Sequence, residues 1–95
     1  MIQIYRKTCE DALQHYGLEN QQIKLMEECG ELIQAVAKDI VIGSYGSHVE
    51  EELADVLIMI GQMIHAYRET NIQEWVDYKL ERLRANMEEE KNEQV

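Results

Sequence analysis

Apolar residues recur at intervals of three and four along most of the chain, and this pattern predicts an all-α protein of four helices. In the first, about residues 2–16, Ile2, Tyr5, Cys9, Ala12, Leu13 and Tyr16 share a face, and Gly17 follows as its stop. The second, about 20–40, opens on Asn20 as N-cap and carries a stripe of Ile23, Met26, Cys29, Ile33, Val36 and Ile40. The stretch Gly43-Ser44-Tyr45-Gly46-Ser47 reads as a connector, with Ser47 capping the next helix; it lacks the glycine-lysine pattern of a phosphate-binding loop. The third helix, about 48–69, is apolar on nearly every side between Val56 and Ile64, broken only by Gly61 and Gln62, which suits the centre of a bundle or a subunit interface. Asn71 is a plausible cap for a fourth, about 72–87, with Trp75, Val76, Leu80 and Leu83 turned inward. Beyond it the stripe stops, so 88–95 is expected to be a frayed acidic tail on a single domain of about 1–87.

Composition supports the helical reading, since the chain has no Pro and no Phe and is rich in Leu, Ile, Met, Glu, Gln and Lys. A domain of 95 residues buries only about 60–65% of its unfolded surface, so a homo-oligomer, dimer or tetramer, is expected to supply the missing burial. The formal net charge of −10 argues against nucleic acid and anionic membranes as partners. It also requires a cation to mediate if the substrate is itself an anion. Cys9 and Cys29 fall in helical apolar patterns and not at ligand spacing, so both are expected as reduced core thiols in a cytoplasmic protein. No apolar signal core is evident in Met1 to Arg6, and the longest apolar run, Val56 to Ile60, is too short to span a bilayer.

The candidate chemistry lies in two acidic patches. Glu28 and Glu31 are three apart on the second helix, Glu52 and Asp55 three apart on the third, and each pair borders the apolar stripe of its helix, so both can face one groove. Carboxylates held that close repel one another unless a cation sits between them. Mg²⁺ is the natural occupant because it takes hard oxygen ligands from a few carboxylates and from substrate phosphates; Mn²⁺ can substitute. A di-iron bundle is disfavoured, since none of His15, His48 and His65 follows a Glu by three residues. A solvated acidic surface accounts for either pair alone, but less well for two pairs that each adjoin a stripe.

The segments Lys24-Leu25-Met26-Glu27-Glu28-Cys29-Gly30-Glu31-Leu32 and Glu52-Leu53-Ala54-Asp55-Val56 resemble the EExxE and ExxD motifs of the MazG-like, all-alpha nucleoside triphosphate pyrophosphohydrolases. Asp77-Tyr78-Lys79-Leu80-Glu81-Arg82 resembles the family's Asn-x-Lys-x-x-Arg block, with Asp77 where Asn is often found. The resemblance implies a four-helix protomer in an oligomer, and cleavage between the α and β phosphates of a (d)NTP to give (d)NMP and pyrophosphate, a nucleotide house-cleaning reaction. It implies Mg²⁺ on Glu28, Glu31, Glu52 and Asp55, which would neutralise phosphate oxygens and acidify a water.

Glu27 is the candidate to accept that water's proton, or else an ordinary surface Glu. By the same resemblance Lys79 and Arg82 contact phosphate and balance charge moving onto pyrophosphate, the alternative being salt bridges to another helix. Lys24 lies one turn before Glu28 and either pairs with it, the favoured reading, or reaches a phosphate. Tyr5, Tyr16, Tyr45 and Trp75 are the rings available to a base pocket. The rivals are a narrower phosphoribosyl-ATP or dUTP pyrophosphohydrolase and a noncatalytic oligomerisation or partner-binding module.

Overall fold

The computed structural model describes residues 1–43 and 48–93. Four helices, α1 (Arg6–Tyr16), α2 (Leu18–Ile42), α3 (Val49–Ala66) and α4 (Glu69–Glu93), account for the regular structure, with no strand among the described residues. None of them is long and apolar enough to cross a membrane. The two candidate features in the connector, Ser47 as cap and Tyr45 as ring, lie outside the described residues.

Helix ends differ from the expected ones for local reasons. Residues 1–5 are not helical, and α1 begins at Arg6. Ile4 instead lies against Gly61 of α3. Gly17 closes α1 and opens α2 within one residue, at φ 89° and ψ 154°, a conformation almost reserved for glycine. Its N–H donates to Leu13 O and its carbonyl accepts from Gln21 N–H, so no N-cap at Asn20 is needed. Asn20 sits inside α2 and sends its Nδ2 back to Tyr16 O at 2.8 Å, satisfying one of the carbonyls left open at the end of α1. His48, in the left-handed region at φ 57°, precedes α3. Asn71 likewise lies within α4, which starts two residues earlier at Glu69 and runs on to Glu93. The stretch expected to fray is thus helical to Glu93, consistent with its run of good helix formers and no Gly or Pro.

Helix α3 is the hub, packed along α2 and across α1. Its Val56, Met59 and Met63, with Cys9 of α1 and Ala35 of α2, form the small buried apolar core. Where α1 crosses α3, a Cβ on Gly61 would stand 2.8 Å from Cys9 Sγ and 2.9 Å from Ile4 Cγ2, so this glycine sets how closely the two helices approach. Gly61→Leu is expected to destabilise by about 1–3 kcal/mol through overpacking, read as a lower urea midpoint with an unchanged slope. A midpoint equal to that of the parent would mean that the crossing is slack.

Two expectations about facing are corrected. On α2 the side buried against α3 is Gln21, Glu28 and Ala35, spaced by sevens, whereas Ile23, Met26, Ile33, Val36 and Ile40 of the expected core stripe are exposed. The stripe lies about a third of a turn round from the buried face, because α3 covers the carboxylate side of α2. And the protomer is a three-helix bundle with an arm: α4 packs only lightly, on α3, and of its described residues Ile72 alone is half-buried, leaving Trp75, Val76, Leu80, Leu83 and Met87 exposed. At its root, Arg6 makes a two-pronged bridge to Glu69, at 2.9 and 2.7 Å, tying the first residue of α1 to the first of α4. The radius of gyration, 16.8 Å, accordingly exceeds the roughly 12 Å of a compact chain this long.

Candidate metal centre and groove

Helices place the four acidic residues with no help from loops. Three-residue spacing stacks Glu28 over Glu31 on α2 and Glu52 over Asp55 on α3, and the packing of α2 on α3 brings the two pairs face to face. One carboxylate oxygen from each of the four lies within 4.8 Å of the others. Glu28 is buried at 7% exposure, Glu52 and Asp55 are half-buried, and Glu31 is exposed at the rim. The first turn of α3 carries Glu50, Glu51 and Glu52, where the helix dipole favours negative charge.

The cluster is short of positive charge. Lys24 Nζ pairs with Glu28 Oε1 at 3.1 Å and stands 3.9 Å from Glu27, so the ion pair favoured for it is present. Its ammonium is held above the ordinary lysine range by the hydrogen bond to Glu28 and then by that residue's charge. Glu31 is pushed above the usual carboxylate range mainly by the charge of Glu28, with burial, a hydrogen bond to Glu28 and the charge of Glu52 adding to the effect and Lys24 opposing it. Glu28 Oε2 and Glu52 Oε2 are buried without a hydrogen-bond partner. Unpartnered buried carboxylate oxygens are costly, and an all-oxygen set with two of them open fits a hard divalent cation.

Beside the cluster an open groove of about 510 Å³ runs between α1, α2 and α3. Glu27, Glu28 and Asp55 line one end with Lys24, and Tyr16, Asn20, Gln21 and Gln62 line the other. Of the suggested aromatic residues that are described, only Tyr16 lies on this groove; Tyr5 borders a separate apolar pocket by the N-terminal segment, and Trp75 is on the arm. Lys79 and Arg82 are not brought to the carboxylates within the protomer. They sit on α4, Lys79 Nζ 5.8 Å from the centre of the Trp75 ring and Arg82 5.7 Å from that of Tyr78.

The buried amides Gln21 and Gln62 are not among the site residues expected from sequence. The signal for them is spacing: Gln21 stands seven residues before Glu28 and Gln62 seven after Asp55, which keeps each on the face of its helix that carries the acids. A sequence model described as the MazG nucleotide pyrophosphohydrolase domain matches residues 17–85, a span that contains the acidic cluster, the groove's α2 and α3 walls and the Lys79 and Arg82 block. No curated protein and no solved structure matches the chain.

Proposed function

Since the chain belongs to the MazG nucleotide pyrophosphohydrolase family, matched over residues 17–85, we propose that it hydrolyses nucleoside triphosphates to monophosphates and pyrophosphate, clearing surplus or noncanonical nucleotides. The observation that carries this reading is the convergence of Glu28, Glu31, Glu52 and Asp55 within 4.8 Å, two of their oxygens buried and unpartnered, at one end of a nucleotide-sized groove. A bundle that used its acids only for solubility would have no reason to bury unpartnered carboxylate oxygens of both Glu28 and Glu52 in one cluster.

In this reading the four carboxylates hold Mg²⁺, or Mn²⁺ in its place. When bound, the ion neutralises phosphate charge and polarises the attacking water. Glu27, exposed at the groove's edge beside Glu28, accepts the proton of that water as its oxygen attacks phosphorus and the α–β bridge oxygen departs with pyrophosphate. Lys24, already at the groove, trades part of its contact with Glu28 for a phosphate oxygen.

Lys79 and Arg82 act from a second copy of the chain. The exposed stripe of α2, with Met26, Ile33 and Ile40 at 66%, 70% and 79% exposure, and the uncovered face of α4 are the surfaces on which a homodimer or tetramer forms. Docking there carries the partner's α4, with its two cations, to the acidic groove.

The direct test is incubation with Mg²⁺ and each common ribo- and deoxyribonucleoside triphosphate, the products being identified by ³¹P NMR. Monophosphate plus pyrophosphate is expected; diphosphate plus orthophosphate, or no product from any nucleotide, would overturn the assignment.

A further inference from the structure

Gln21 and Gln62 are 7% and 3% exposed, Gln21 Nε2 donates to Gln62 Oε1 at 2.7 Å, and Gln62 Nε2 reaches only the sulfur of Met59, at 3.6 Å. A primary amide has two N–H donors and a carbonyl with two lone pairs, and a thioether is a weak acceptor, so this buried pair holds hydrogen-bonding capacity in reserve. If packing were its only role, apolar side chains of the same size would serve better, because buried amide groups cost free energy unless fully bonded.

Its position gives the capacity a use. The Gln21–Gln62 contact and the meeting of Glu28 and Glu31 with Glu52 and Asp55 show that α2 and α3 run antiparallel. Seven residues back along α2 and seven forward along α3 therefore lead the same way, to a point about 10 Å from the carboxylates. Both amides line the groove whose other end Glu28 and Asp55 of the acidic cluster line. The separation suits a nucleotide lying lengthwise, with phosphates at the acids, sugar between, and base at the amides.

We infer that Gln21 and Gln62 are the base-reading residues of the groove, pairing a donor and an acceptor with the adjacent acceptor and donor on the edge of a nucleobase. This rests on the groove being a nucleotide site, as proposed above. A carboxamide matches such an edge in a bidentate way, as amide side chains do when they read bases in nucleic acids. Tyr16, on the same groove and 57% exposed, is placed to cover a face of the base.

Titration of the unmodified, ¹⁵N-labelled protein with nucleoside monophosphates, and separately with ribose 5-phosphate, tests this without requiring turnover. The side-chain NH₂ signals of Gln21 and Gln62 are expected to move with the nucleotides and to stay still with the base-free sugar phosphate. Gln21→Leu and Gln62→Leu are expected to weaken monophosphate binding by roughly 10- to 100-fold while leaving ribose 5-phosphate unaffected. Amide signals that nucleotides do not move, or variants that lose both ligands equally, would overturn the inference whether or not the protein hydrolyses triphosphates. Failure of the pyrophosphohydrolase reading appears separately, as absence of ³¹P product in the presence of intact base-dependent binding.

Discussion

Glu31→Gln and Asp55→Asn are expected to lower pyrophosphohydrolase turnover by more than about 100-fold while leaving the helical fold intact, because each removes a charged oxygen from the metal set. Glu31→Gln is also expected to raise the melting temperature of the metal-free protein at neutral pH. The sign follows from its titration. The charge of Glu28 holds the Glu31 carboxyl above its unfolded value of 4.5, so between the two values the folded chain binds more protons than the unfolded one. Stability contributed by this group therefore falls as pH rises through that window and stays lower above it, and the gain from Glu31→Gln should vanish once the medium is acidic enough to protonate the carboxyl in both states. Mg²⁺ should stabilise the parent, by about 2.7 kcal/mol at a hundredfold excess over its Kd, and should do so much less in either variant. A parent that melts at the same temperature with and without millimolar Mg²⁺ would refute the metal assignment.

The second large effect concerns shared sites. A Lys79→Ala/Arg82→Ala double variant and Asp55→Asn are each expected to be nearly inactive alone, yet an equal mixture, unfolded and refolded together, should recover about a quarter of parental activity if the assembly is a two-site dimer. Half the dimers are then mixed, and each has one site with intact acids from one chain and intact cations from the other. Recovery is measured as phosphate release after inorganic pyrophosphatase treatment, against each variant refolded alone. A mixture no more active than the variants would show that the cations serve their own chain's carboxylates or none. The expectation comes from α4, which packs lightly on α3, is bridged to α1 through Arg6 and Glu69, and contributes no residue to the lining of the acidic groove.

The number of helices, their order and the acidic centre are legible in the sequence because each depends on spacing alone. Residues three apart on a helix share a face whatever the helix packs against, so Glu28, Glu31, Glu52 and Asp55 stand out with no fold in hand. Facing is harder. The stripe of Ile23, Met26, Ile33 and Ile40 records an aversion to water without naming the neighbour that relieves it, and within the protomer α3 covers the carboxylate side instead. The start of α2 differs from the expected one because Gly17 serves two helices at once, leaving Asn20 free to bond backwards. The end of α4 differs because a stripe marks where packing stops, and Glu88 to Glu93 continue as helix without it. Gln21 and Gln62 are hidden because amides within a helix resemble surface residues until a partner helix covers them.

The bridge between Arg6 and Glu69 joins the arm to the bundle at one end only. A helix of 25 residues is a lever about 37 Å long, with Lys79 about 15 Å from its fulcrum. A swing of about 10° at the root displaces Lys79 by nearly 3 Å, roughly the length of a hydrogen bond. If Lys79 meets a phosphate as proposed, its aim would depend on residues at the foot of the lever, Arg6 and Glu69 among them, that lie about 15 Å away along the helix.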